Sequence, residues 1–222
     1  MDKGKGKKYC ESNFLVPAKI TRIELVVINS RFIADIAPAF SVEEARQFIK
    51  KIHLEFPDAS HHVPAYRIGH GATVISHCSD AGEPSGTAGR PILAVLTGSG
   101  LGDAVLVITR YFGGTKLGIG GLVRAYSTAA RDVLESVPRA LKIPAYKINI
   151  TVPYSEYEKA KNQILLQHGT ILEQNFSTSV TITALIPVEQ SNELHTCLQK
   201  ISNGVARIDI FETRLNILVP CK

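Results

Sequence analysis

No stretch of this chain approaches the roughly 20 consecutive apolar residues that a membrane-spanning helix requires. The first residues, MDKGKGKKY, also lack the apolar run of a secretory leader. Both absences predict a soluble, cytoplasmic protein with no membrane partner. Cysteine is scarce: Cys10, Cys78, Cys197 and Cys221 are scattered, with no C-x-x-C pair and no Cys/His spacing of a zinc site. Free thiols in a reducing compartment are expected, and no metal. Also missing are the phosphate-loop pattern G-x-x-x-x-G-K-[ST], the dinucleotide fingerprint G-x-G-x-x-G and the nucleophile elbow G-x-S-x-G. No cofactor is expected, and serine-hydrolase chemistry has no support.

Bulk charge is nearly absent too. The net charge is +5, of which residues 1–10 supply +3, four lysines less one aspartate. Residues 11–144 carry 14 basic against 12 acidic side chains, giving +2, and residues 145–222 carry 7 of each. Affinity for a polyanion must therefore come from local clustering rather than a broad basic face.

What is present is ordinary globular composition, 45% apolar and 20% charged, over 222 residues. Residues 1–13 read as a flexible basic tail. ITRIELVVINSRFIADIA, from Ile20, is rich in β-branched residues and broken at Asn29 and Ser30, which predicts a hairpin. Ser41 with Glu44 makes a capping box ahead of a helix that Pro57 follows. HHVPAYRIG and ATVISHC read as strands separated by Gly69 and Gly71; PILAVLTGSG reads as a helix and AVLVITRYF as a buried strand. Leu122, Tyr126, Ala129, Val133 and Val137 then share one helical face. From residue 145 the order is βαββαβ, a ferredoxin-like split unit with Gly169 and Gly204 as expected helix C-caps. Pro138 and Pro144 bracket the expected linker, which places domains at 14–144 and 145–222 and makes the class α+β.

Two segments carry candidate chemistry. TRYFGGTKLGIGGLVRAY, residues 109–126, sets five glycines between a buried strand and an amphipathic helix. Gly113, Gly114, Gly118, Gly120 and Gly121 let a ligand approach the backbone, and a helix start exposes unpaired N–H groups. Arg110, Lys116 and Arg124 add cations for phosphate oxygens, and Tyr111 or Phe112 an aromatic plane for a base. The competing reading is that the glycines only turn the chain tightly.

The second segment, SDAGEPSGTAGRP, holds Asp80 and Glu83 with three hydroxyls inside nine residues. It is suited to acid/base or metal work, or, more plainly, to an Asx-turn at Asp80 and a Glu83–Arg90 pair. Of His61 and His62, adjacent on a strand, only one can face any site. His62 joins Asp80 and Glu83 as a catalytic candidate.

SRFIA at 30–34, HHVPAY at 61–66, SDAGEPSGTAGRPIL at 79–93 and VITRYFGGTKLGIGGLVRAYSTA at 107–129 together resemble the IMPACT family in its bacterial two-domain type. The similarity covers most of residues 14–137. Ala81 departs from it, since the family usually has a second aspartate there. The resemblance implies an N-terminal domain similar to the second domain of ribosomal protein S5 and a C-terminal domain similar to the last domain of elongation factor G. Through its motifs it adds Arg31 and Arg90 to the anion-binding set. Eukaryotic members carry an extra N-terminal RWD domain and compete for an activator of an initiation-factor kinase. That role is not expected here, because the residues before the matched block leave no room for the domain. The implied function is translation-associated binding of RNA or a ribosomal or factor surface. An enzyme acting on a small phosphorylated or acidic ligand is the alternative.

Overall fold

β-branched and apolar residues alternating along five segments build the sheet that carries the candidate motifs. The structure, a computed structural model, describes residues 14–221, so the basic tail and Cys10 fall outside it. The chain divides into two units, one reaching to Leu141 and including the C-terminal end from Pro220, the other Lys142–Val219.

In the first unit the chain order is β1 (Leu15–Pro17), β2 (Thr21–Val27), β3 (Ser30–Pro38), α1 (Val42–Glu55), β4 (His61–Ile68), β5 (Ile75–Cys78), α2 (Gly89–Gly98), β6 (Ala104–Tyr111) and α3 (Gly118–Ser136), followed by the start of β7 (Arg139–Val152). The sheet runs β2-β3-β6-β4-β5, every neighbouring pair antiparallel. The β2–β3 hairpin turns on Ile28 and Asn29, with φ of 45° and 64°, so both central residues are left-handed as a type I′ turn requires. Ser41 Oγ accepts from the Glu44 amide, while the Glu44 carboxylate reaches back to the amide of Phe40 rather than of Ser41. The expected strand over ATVISHC is shorter, because Gly71–Thr73 forms a 3₁₀ turn first.

β6 is buried on both faces, and its period of two fixes what lies where. Leu106 and Ile108 pack with Phe32, Ala34, Val63 and Ala65 against Ile92 and Leu96 of α2 and Leu122, Tyr126 and Val133 of α3. Val105 and Val107 pack with Tyr66 and Ile68 against Ala45 and Ile52 of α1 on the opposite face.

The second unit contains the rest of β7, then α4 (Tyr157–Leu166), β8 (Thr170–Phe176), β9 (Val180–Pro187), α5 (Ser191–Ile201) and β10 (Arg207–Pro220). Its strands run β10-β7-β9-β8. Ile148, Ile150, Val152, Ile182 and Ile186 form its core with Ile164 of α4 and Leu194 and Leu198 of α5.

Two expectations are corrected here. The segment between Pro138 and Pro144 is not a loop, since Arg139–Val152 is one strand. Pro144 lies between the pairing of Arg139–Leu141 with β1 and that of Ala145–Val152 with β9, so its missing N–H breaks neither of these, and β10 also pairs with β7. At the end of α4 the left-handed residue is His168 (φ 58°), not Gly169. Gly169 is required for packing instead: a Cβ there would lie 2.4 Å from Ile186 Cδ1.

Candidate functional site

Because Arg110 follows Leu106 and Ile108 in the alternation, its long cationic side chain is driven into the layer between the sheet and the helices α2 and α3. Only 6% of that side chain is exposed. Such a charge needs an acceptor, and Glu83, equally buried, supplies it: Arg110 Nη1 donates to Glu83 Oε1 at 2.7 Å and Nη2 to Ser30 Oγ at 3.2 Å. Tyr126, fully buried on α3, donates its hydroxyl to the same Glu83 oxygen at 2.7 Å. Burial and that bond push the Tyr126 hydroxyl far above its ordinary pKa, so it remains a donor. His61 pairs in register with Arg110 and shares its face, with Nε2 3.9 Å from Glu83 Oε1 and Nδ1 2.9 Å from the Ala81 carbonyl. The guanidinium carbon lies 5.5 Å from the Phe32 ring centre and 5.6 Å from that of Phe112. Arg110 Nε is buried without a hydrogen-bond partner.

Beside this network is a cavity of about 340 Å³ lined by Glu83, Pro84, Arg110, Phe112, Lys116, Leu117, Gly118, Ile119 and Leu122. α3 begins at its wall. Leu117, in the cap position, makes no side-chain cap bond, and among the described residues no loop or turn bond is donated by the amides of Gly118, Ile119 or Gly120. These amides belong to the positive end of a 19-residue helix whose first residues, Gly118 and Ile119, line the cavity. Gly113 explains part of the glycine content. A Cβ there would sit 2.1 Å from the Asn29 carbonyl group, so only glycine lets the loop close over the β2–β3 turn. Gly118 serves differently, with φ of 70° as the chain enters α3.

The other sequence candidates separate. Lys116 is exposed at the cavity, and Arg124 is exposed one turn into α3, with its Nη1 3.8 Å from where a Gly120 Cβ would stand. Arg31 and Tyr111 belong to the opposite sheet face, since each neighbours a residue that faces α3. Arg31 is held by Glu24 through two bonds and lies over the Tyr111 ring, whose hydroxyl donates to Asp58. Phe112, half-exposed, is the aromatic at the cavity. Arg90 is exposed near the start of α2 and does not pair with Glu83.

Nor does a carboxylate pair form. Asp80 accepts the amides of Gly86, Ala88 and Gly89, which ties the loop to the start of α2. Burial opposes its charge, but those three bonds outweigh it and the pKa falls below its ordinary value. His62 points to the α1 face, 3.1 Å from Thr109 Oγ1 with its ring 4.1 Å from that of His53. Burial, then the neighbouring His53, lowers its pKa. His61 is the histidine on the Glu83 side. Among the described residues no three His, Cys, Asp or Glu side chains gather as a metal site would need. Ala81 occupies the left-handed region at φ 49°, a conformation an aspartate tolerates better, so alanine carries a local backbone cost there.

Sequence reasoning missed Tyr126 as a polar group and Ser30 altogether. Periodicity marks Tyr126 as core, and nothing local shows that its hydroxyl ends on a carboxylate 43 positions away. Tyr126→Phe is expected to cost about 1.5–3 kcal/mol, the value of one buried bond to a charged acceptor, with the fold retained. Hydrogen exchange at the β6 and α3 amides measures it, and unchanged protection would remove the hydroxyl from the network.

Comparison with known proteins places this arrangement. Residues 28–134 match the model of the Impact N-terminal domain, and residues 150–205 match a domain of unknown function (DUF1949). The chain is 33% identical to the IMPACT family member YigZ of Escherichia coli, over 86% of this chain and 95% of the relative. It is also 33% identical to the family member YvyE of Bacillus subtilis, over 88% of each. A solved crystal structure, described only as that of a hypothetical protein, is 31% identical, with a TM-score of 0.58 over 90% of this chain and 97% of that one. The buried Glu83, Arg110 and Tyr126 and the glycine loop all fall inside the matched N-terminal domain, and two full-length relatives extend the match through the second unit: the chain belongs to the IMPACT family.

Proposed function

We propose that the chain is a translation-associated regulator that binds RNA by capturing phosphate at the cavity in front of α3. The observation that carries this reading is the start of α3, which has no side-chain cap, at a cavity that the exposed Lys116 also lines. A phosphate oxygen there would accept from Lys116 and from first-turn amides, and a helix start is electrostatically suited to it. The link to translation rests on the family resemblance, which also favours an S5 domain 2-like first unit, a cytoplasmic setting and a ribosome-associated partner. The β7-α4-β8-β9-α5-β10 order with strands arranged β10-β7-β9-β8 supports a ferredoxin-like second unit.

A small phosphorylated ligand is the second reading, and one observation favours it: Lys116 and the start of α3 line a concavity rather than an open face. Catalysis on such a ligand has weaker support, because the oxygens of Asp80 and the Oε1 of Glu83 are occupied by internal donors.

Anisotropy titration of a labelled single-stranded RNA against salt tests the proposal. Lys116→Ala with Arg124→Ala is expected to weaken binding about tenfold and to flatten the log–log salt slope by about 1–2, as loss of two phosphate contacts requires. Both residues are exposed, so the fold is expected to survive. An unchanged affinity and slope would reject phosphate capture at this site.

A further inference from the structure

We infer that β8, an outer strand of the second unit, pairs antiparallel with β8 of a second copy of this chain about a two-fold axis at Gln174. The phosphate-capture reading concerns the first unit, and neither inference depends on the other.

An outer strand offers a row of open N–H and C=O groups, and proteins usually blunt such an edge with charge, proline or shortness. The other outer strands here are blunted. β1 has three residues and ends in Pro17, β2 carries Arg22 and Glu24, β5 has four residues, and β10 carries Arg207, Asp209 and Glu212. β8 ends the order β10-β7-β9-β8 and runs for seven residues with Glu173 as its one charge and neither lysine nor proline. All of it but Ile171 is exposed. A bulge between Ile171 and Glu173 interrupts its ladder with β9, so residues 172–176 are the stretch offered to a partner.

That stretch is complementary to itself. Gln174 and Phe176 pair with Ile182 and Val180, whose side chains are in the core, so they stand on the helix-covered face, and the alternation puts Leu172 with them. Glu173 and Asn175 stand on the other face. Antiparallel pairing about Gln174 sets Leu172 against Phe176 of the second copy, Gln174 against its own copy and Glu173 against Asn175. Apolar meets apolar, and the one charge meets an amide. An axis one residue earlier would oppose the two Glu173 carboxylates directly.

The neighbouring helix extends the match. The Phe176 ring centre lies 5.3 Å from that of Tyr157 and 6.3 Å from that of Tyr154, and the Tyr157 hydroxyl donates to Gln174 Oε1. α4 therefore starts beside the end of β8 and, leading into β8 through residues 167–169, ends beside its start. Leu165 lies two turns on from Tyr157, on the same stripe. The two-fold axis brings the aromatic end of one copy to the leucine end of the other. Tyr154, Leu165, Leu172 and Phe176 are each about half exposed, apolar surface that a lone copy leaves in water. Two like-charge approaches oppose the pair: the two Glu173 side chains meet diagonally, and Lys161, midway along the stripe, nears its own copy. A contact of this size is at the low end of specific interfaces, below about 1,200 Å², so a weak dimer with a Kd of about 10–100 µM is expected.

Sedimentation velocity of the full chain from about 2 to 500 µM tests this, and the chain is expected to pass from monomer to dimer across that range. Leu172→Lys, at an exposed position, enters the contact twice and is expected to raise the dimer Kd about tenfold or more. Oxidation near the midpoint reads the register. Gln174→Cys is expected to form a 174–174 disulfide, identified by peptide mass, because Cβ atoms opposed on the axis are about 4.5–5.5 Å apart. Glu173→Cys, also exposed, is expected to link to itself about tenfold more slowly, since it faces Asn175 of the second copy. A chain that stays monomeric throughout overturns the inference. So does a dimer that Leu172→Lys leaves unchanged, or one in which Glu173→Cys links as fast as Gln174→Cys.

Discussion

Glu83→Ala is expected to lower the stability of the first unit by about 3–5 kcal/mol, the usual cost of stripping a buried charge of its partner. Arg110 cannot follow its lost acceptor to water, because only 6% of its side chain is exposed and its guanidinium lies between Phe32 and Phe112. Tyr126 loses its acceptor in the same step, leaving a second buried donor open. Glu83→Gln should cost less, since both bonds end on Oε1 and an amide oxygen in that place still accepts them, with only the charge lost. The double substitution Glu83→Leu with Arg110→Met should fall well short of the sum of the single costs, because an apolar pair of similar size leaves no charge unpaired. Hydrogen exchange at the β6 amides reads the local effect, since the chain has two units and a single global midpoint would mix them. A loss below about 1 kcal/mol in Glu83→Ala would mean that Arg110 finds another acceptor inside the fold.

That network also shows how far the sequence can be read. β6, α1 and α3 announce themselves through apolar spacing, which depends only on near neighbours in the chain. Glu83, Arg110 and Tyr126 do not, because what joins them is the register of β6 and the packing of α3, set by residues 27 and 43 positions apart. Some of the misplacement was avoidable. Tyr111 directly follows Arg110 on a strand, so the alternation alone sends the two to opposite faces and makes Phe112 the better aromatic candidate. For His61 and His62 the same alternation says that one faces the site; only the pairing of His61 with Arg110 decides which. Pro138 and Pro144 looked like linker punctuation because proline marks the end of a ladder, and here β7 passes from one ladder to the next at Pro144.

Asp80→Ala is expected to destabilise the first unit by about 2–4 kcal/mol, through three backbone amides rather than through any lost chemistry. Gly86 donates to Oδ2, while Ala88 and Gly89, both buried, donate to Oδ1. Alanine leaves all three open at the start of α2, where the helix has no other side-chain cap. Asp80→Asn discriminates between charge and geometry. An amide has one acceptor oxygen, so it keeps either the Gly86 bond or the Ala88 and Gly89 pair and turns an NH₂ toward the remaining donor; its cost should approach that of alanine. The acid response has a fixed sign. The folded-state pKa of Asp80 lies below its ordinary 3.8, so its contribution is complete above that value and is lost as pH falls through the lower folded-state pKa. Wild-type protein should therefore lose stability relative to Asp80→Ala only in strongly acid solution, where the two should converge. Parallel stability curves for the two proteins down to the acid transition would show that the carboxylate charge contributes nothing to holding the loop, leaving Asp80 available for the chemistry that its three internal bonds otherwise preclude.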